Sequence, residues 1–150
     1  AEQPYVSDRH LADRVVDIIA GVDNQQPAFL FVASMGSHGP WQLGRCGGLT
    51  DPVDIYTEPL RKADDALGHL TAYLERLDRP VWFAFYGDHA PLLKSFADPF
   101  PDPRTDYVLV PLARAREEER SRLSVTKEEA PWNLLGTLLA HADLPVRPEL

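Results

Sequence analysis

The sequence predicts an α/β domain with a mostly parallel sheet flanked by helices, and three observations carry that reading. Residues 28–33 and 81–86 are short, continuous apolar runs without alternation, the pattern of strands covered on both faces. A stretch of helical period precedes each run, which is the alternation of a sheet layered with helices. Each run then enters a loop holding glycine and histidine, at the strand end where open α/β sheets bind ligands.

The elements follow in order. Ser7 is a residue type that caps helices, and Leu11, Val15, Ile18 and Ile19 recur behind it at helical spacing until Gly21. Pro27 opens the first apolar run, which ends in Met35-Gly36-Ser37-His38-Gly39-Pro40-Trp41. Residues 42–57 have no period and contain Gly44, Gly47 and Gly48, so they read as a long loop of the kind that carries function. Across 58–77, Leu60, Ala63, Leu67, Leu70 and Leu74 share one helical face. Pro80 closes that helix, and run 81–86 leads straight into Gly87-Asp88-His89-Ala90-Pro91. Pro91, Pro99, Pro101 and Pro103 mark an irregular passage before a third apolar run at 107–110. The charge run at 114–122 reads as solvated surface. Thr126 and Glu129 have capping-box spacing, Pro131 fits a first helical turn, and an apolar helix follows through Leu134, Leu135, Leu138 and Leu139.

Composition narrows the function classes. The 150 residues suffice for one domain, and 44% hydrophobic with 25% charged residues is ordinary for a globular chain. A net charge of −8, from 23 acids against 15 bases, argues against a nucleic-acid partner, whose phosphates recruit basic surfaces. Cys46 is the lone cysteine, so no internal disulfide exists, and it reads as a loop thiol. No apolar run reaches the roughly 18 residues of a membrane helix. The sequence opens at Ala1 without a signal-like segment, which leaves membrane anchors upstream open.

Two groups of residues carry chemistry. Asp88 and His89 stand side by side after Gly87. Neighbouring strand residues point to opposite faces, but just past a strand end a glycine lets the chain turn so that both converge. A carboxylate with an imidazole suits Zn²⁺ or Mn²⁺; the competing reading is a turn cap beside a surface histidine. His38, between Gly36 and Gly39, is placed either as a donor to an anionic oxygen or as an ordinary loop histidine. Asp64 and Asp65 read as a solvated helix face, Trp41 as pocket lining or packing, and His141 as structural. Arg45 and Arg104 are cations within reach of an anion but without a motif.

Residues 29–41, FLFVASMGSHGPW, resemble the strand and loop of bacterial phosphoethanolamine transferases and lipoteichoic acid synthase-like phosphoglycerol transferases. Residues 63–89, ending in YGDH, resemble the helix, strand and GDH or SDH signature of the same alkaline phosphatase/sulfatase superfamily. The likeness covers roughly residues 5–112. It implies the C-terminal part of an alkaline phosphatase-like (sulfatase-type) domain, so that residues 1–150 form a single domain or the C-terminal half of a larger one. It further implies Asp88 and His89 as ligands of a divalent metal ion, Zn²⁺ or Mn²⁺ with Mg²⁺ or Ca²⁺ as options, and His38 as the contact to the substrate phosphate. In that family a Thr or Ser attacks and forms a covalent phospho-enzyme. That nucleophile and an acidic metal ligand belong to the upstream half, so no catalytic nucleophile is expected within these residues.

The chain departs from the phosphoethanolamine transferases in two ways. Their further histidine after the Asp-His pair has no counterpart before His141, and their several disulfides are excluded by the single Cys46. The expectation is therefore a fragment, inactive alone, of a metal-dependent phosphotransferase or hydrolase. Its substrates would be phosphate or sulfate esters, with lipid- or polysaccharide-linked ones as candidates, and phosphoglycerol-transferase or capsule-type relatives fit better. By the same resemblance it works in the cell envelope, on the periplasmic or extracellular face, with membrane contact through upstream segments. The alternative is a non-catalytic binding module that keeps a truncated version of the fold.

Overall fold

Ser7 caps the first helix as the sequence requires. In the computed structural model, which describes residues 6–23, 26–91, 102, 104–113 and 127–142, its hydroxyl accepts from the His10 N–H at 3.3 Å. Helix α1 then runs Asp8–Ala20, burying Ala12 and Val15. The Gly21 N–H donates to the carbonyls of Asp17 and Ile18, which closes the last turn where the periodicity ends.

Helix α2 spans Pro52–Leu74. It starts six residues before the expected 58, and the signal for that start was a cap rather than a period. Asp51 Oδ1 accepts from the Val53 N–H at 2.8 Å and the Asp54 N–H at 3.3 Å, with Pro52 in the first position, where its missing N–H costs nothing. Pro59 lies inside the helix. Having no N–H, it cannot bond the carbonyl four residues back, that of Ile55. Cys46 supplies the missing donor: its Sγ donates to the Ile55 oxygen at 3.6 Å. Ile55 is the most deeply buried large side chain described, at 2% exposure, so an unmet carbonyl there would be costly. The lone cysteine is therefore a helix-repair group.

The sheet differs from expectation. Strands β1, Trp82–Tyr86, and β2, Tyr107–Pro111, pair antiparallel, with Trp82 opposite Pro111 and Tyr86 opposite Tyr107. They make the only sheet among the described residues, so a mostly parallel sheet is not what these residues form. A parallel pair needs a crossover, usually helical, whereas the continuous apolar composition that suggested it is open to either pairing. Residues 28–33 are not a strand either. Phe29 is 59% and Phe31 71% exposed, and among the described residues no ladder pairs with this run. An interior strand needs a neighbour on each edge and a layer on each face, and the described residues supply neither.

After β2 a single 3₁₀ turn, Pro131–Asn133, leads into helix α3, Leu134–His141. Pro131 takes the first-turn position as expected. Thr126 of the anticipated capping box lies outside the described residues, as does the charge run at 114–122. Glu129 accepts instead from the Asn133 side-chain amide at 2.9 Å. The chain divides into two compact units, residues 1–73 with 89–103 and residues 74–88 with 104–150. The first holds α1, nearly all of α2 and the loop between them. The second holds the strand pair and α3, with Leu112 and Ala113 buried at the end of β2.

Candidate functional site

The loop at 36–41 is held from three sides. The Gly36 N–H donates to Asp8 Oδ1 at 3.1 Å, and Asp8, in the first turn of α1, is only 9% exposed. A Cβ on residue 36 would stand 2.4 Å from Asp8 Oδ2, so only glycine fits against that carboxylate. Arg45 takes the other side of the same residue. Its Nη2 donates to the Gly36 carbonyl at 2.8 Å and its Nη1 to the Pro40 carbonyl at 3.0 Å, so one planar guanidinium spans the loop. Trp41 makes the third contact, its indole N–H donating to the Ser37 carbonyl at 3.1 Å. The ring of Trp41 meets Tyr56 edge to face at 5.2 Å, which ties the loop to α2. The Gly39–Pro40 peptide is cis.

His38 is exposed on this braced loop. Its Nδ1 lies 2.9 Å from the Gly39 carbonyl, and His89 repeats the arrangement with the Ala90 carbonyl at 3.0 Å. A carbonyl oxygen only accepts, so Nδ1 carries the proton in both rings and Nε2 is the basic nitrogen of each. The two rings, both within the first unit, approach to 5.6 Å between centroids at an interplanar angle of 89°. Loops 51 residues apart in sequence thus present two imidazoles to one place. In the neutral state such a pair offers nitrogen lone pairs; protonated, it offers donors to an anionic oxygen.

Asp88 ends the first segment of the second unit, in the bend that follows β1, and is exposed. The strand end that carries it is pinned: the Gly87 N–H donates to the Asp106 carbonyl at 3.3 Å, and Thr105 Oγ1 donates to the Gly87 carbonyl. Carboxylate and imidazole at 88 and 89 match the donor chemistry of a Zn²⁺ or Mn²⁺ ligand pair. Among the described residues, however, no three His, Cys, Asp or Glu side chains gather as a metal would require. Two donors are one short of the three that a catalytic metal takes from protein.

The remaining candidates sort by their contacts. Arg45 is occupied in bracing the loop, a role hidden from sequence because its acceptors are backbone carbonyls. Asp8, the other half of the brace, carried no signal beyond its place in a first helical turn. Asp65 pairs with Arg61 at 2.8 Å on the exposed face of α2, as a solvated face requires. His141 stacks on Trp82 at 5.6 Å and 29°, a packing role, and Arg104 pairs with Glu128. A cavity of about 270 Å³ lies behind the loop, with Gly36 in its wall. Acids Asp8 and Asp65 there balance bases Arg9 and Lys62, and neither His38 nor His89 lines it.

Sequence comparison identifies the setting in which these loops occur. The chain is 59% identical over 140 residues to the capsular polysaccharide biosynthesis protein RkpI of Rhizobium meliloti (strain 1021), covering 93% of this chain and 26% of that protein. It is 25% identical over 103 residues to a putative cyclic beta-1,2-glucan modification protein of the same strain, covering 61% of this chain and 16% of that protein. The chain thus spans about a quarter of RkpI and less of the other. No solved structure matches it. Among the described residues no helix is long and apolar enough to cross a membrane. The family model for sulfatases matches residues 1–143, and both the SHGP and the GDH loops fall inside that match: the chain belongs to the sulfatase family.

Proposed function

We propose that this chain is part of a metal-dependent enzyme of the cell envelope that transfers or hydrolyses a phosphate or sulfate ester. Phosphoglycerol and phosphoethanolamine transfer are the leading reactions. The observation that carries the reading is the approach of His38 and His89 to 5.6 Å. In it the histidines of the two stretches that resemble the family's substrate and metal signatures lie close together within the first compact unit. His38 contacts the ester's anionic oxygens and Asp88 and His89 hold a divalent ion. When bound, such an ion neutralises charge on the ester oxygens and acidifies a hydroxyl nucleophile. The nucleophile and the remaining ligands come from elsewhere in a longer protein, so residues 1–150 are the C-terminal half of the domain.

The exposed run at 28–33 supports that division, since Phe29 and Phe31 need a covering that the described residues do not provide. The name of RkpI, a capsular polysaccharide biosynthesis protein, favours a polysaccharide-linked acceptor, and the resemblance to envelope transferases favours the periplasmic or outer face. The reading is tested in the full-length protein, with bis(p-nitrophenyl) phosphate and p-nitrophenyl sulfate as probes and Mn²⁺ or Zn²⁺ added after chelation. Turnover that returns with metal and is lost in Asp88→Ala and in His89→Ala supports it. Turnover that persists without metal would overturn the metal dependence, and no turnover at all would favour a binding module built on this fold.

A further inference from the structure

Arg45 spends its guanidinium on the loop that carries His38. Nη2 reaches the Gly36 carbonyl at 2.8 Å and Nη1 the Pro40 carbonyl at 3.0 Å, so the two bonds bracket His38 two residues to either side. Nε is buried and has no partner among the described residues. A buried, unmet N–H is unfavourable, and it persists here in a side chain whose other nitrogens grip the loop. The grip is doubled at Gly36, where Asp8 accepts the N–H of the residue whose carbonyl Arg45 holds. Two charged side chains of opposite sign thus fix one peptide segment from both faces. Through Asp8 the loop takes its position from α1, and through Arg45 from the turn at 42–48.

From this geometry we infer that Arg45 is a positioning residue for His38: it sets where the imidazole meets the ester and makes no contact with the ester itself. The inference rests on His38 acting as the substrate contact. A bidentate planar fork is needed, because one ammonium cannot span two carbonyls in that geometry. Arg45→Lys therefore behaves like Arg45→Ala despite keeping the charge, whereas a direct anion contact would be largely preserved by lysine.

The test is a double-mutant cycle in the full-length protein with bis(p-nitrophenyl) phosphate and Mn²⁺. Displacing a contact by about 1 Å lowers efficiency by roughly 10- to 100-fold, and Arg45→Ala and Arg45→Lys should each lower kcat/KM to that extent with metal content unchanged. In the His38→Ala background the same changes should cost less than about twofold, because contacts acting through one another do not add. Added guanidinium chloride in the tens of millimolar should restore part of the loss in Arg45→Ala but none in His38→Ala. Arg45→Gln keeps one amide donor and serves as the second variant where Arg45→Ala does not fold; it runs through the same cycle with an intermediate loss. Equal losses in both His38 backgrounds, or full activity in Arg45→Lys, overturn the positioning role while leaving the site reading intact. Absence of metal-dependent turnover in the wild type overturns the site reading and this inference with it.

Discussion

Replacing Gly36 with alanine tests the brace directly, because the sign of the effect depends on one partner. The added methyl would stand 2.4 Å from Asp8 Oδ2 and 2.6 Å from both Cγ and Oδ1. The carboxylate must retreat by roughly 1 Å to restore an ordinary contact of about 3.5 Å, and that breaks the 3.1 Å bond from the Gly36 N–H. Losing a hydrogen bond to a charged acceptor costs about 1.5–3 kcal/mol. Gly36 is not at positive φ, so alanine also stiffens the unfolded chain and returns about 0.4–1 kcal/mol. The net expectation is a loss of about 0.5–2.6 kcal/mol. In an Asp8→Ala background both clash and bond are gone, and the same substitution should become neutral or stabilising by up to about 1 kcal/mol. Urea unfolding of the four proteins followed by tryptophan fluorescence reads this well, since Trp41 closes the same loop. An equal cost in both backgrounds would refute the reasoning, because the clash would then not be with Asp8.

Other outcomes follow from the remaining contacts. Cys46→Ala should destabilise by about 1 kcal/mol with Pro59 present and by almost nothing in Pro59→Ala, whose own N–H meets the Ile55 carbonyl; denaturant melts of both pairs check it. His38→Ala in the full-length protein should lower kcat/KM for a phosphodiester by roughly 10- to 100-fold with metal content retained, and loss of metal by elemental analysis would contradict its role. Asp88→Ala and His89→Ala should each reduce bound metal as well as turnover, and wild-type metal content in either would remove that residue from the ion. The Glu58 carboxyl is held below its ordinary 4.5 by hydrogen bonds from Arg61 and then Lys62. Its small contribution is present above 4.5 and fades as pH falls through the lowered value. Glu58→Gln should flatten that acid limb slightly, and high salt should do the same.

Local chemistry was the most legible part of the sequence. Ser7 and Gly21 bound α1 because capping and termination depend on the residues themselves and their immediate neighbours. The start of α2 was legible too, but in Asp51-Pro52 and not in the apolar period, which only begins later along the helix. Pairing could not be read in the same way. Residues 28–33 have a strand's composition, yet whether such a run joins a ladder depends on partners distant in sequence, and their side chains stand exposed. The antiparallel direction of β2 against β1 was not legible, because a continuous apolar run has the same composition in either pairing. His38 and His89 stood out in the sequence through the glycines around them. Their supports were hidden because Asp8 and Arg45 act on backbone groups, which every residue carries alike.

The contact between Cys46 and the Ile55 carbonyl has a consequence for how relatives of this chain vary. Proline at 59 and a donor at 46 form one heritable unit, since losing the donor while the proline stays leaves the Ile55 oxygen unmet. Lineages that exchange Pro59 for an ordinary residue release position 46 to drift, while lineages that keep the proline should show cysteine, serine or threonine there. Aligned relatives would then display correlated change at two positions 13 apart in sequence, and the origin of that correlation is a missing hydrogen rather than a shared role in catalysis.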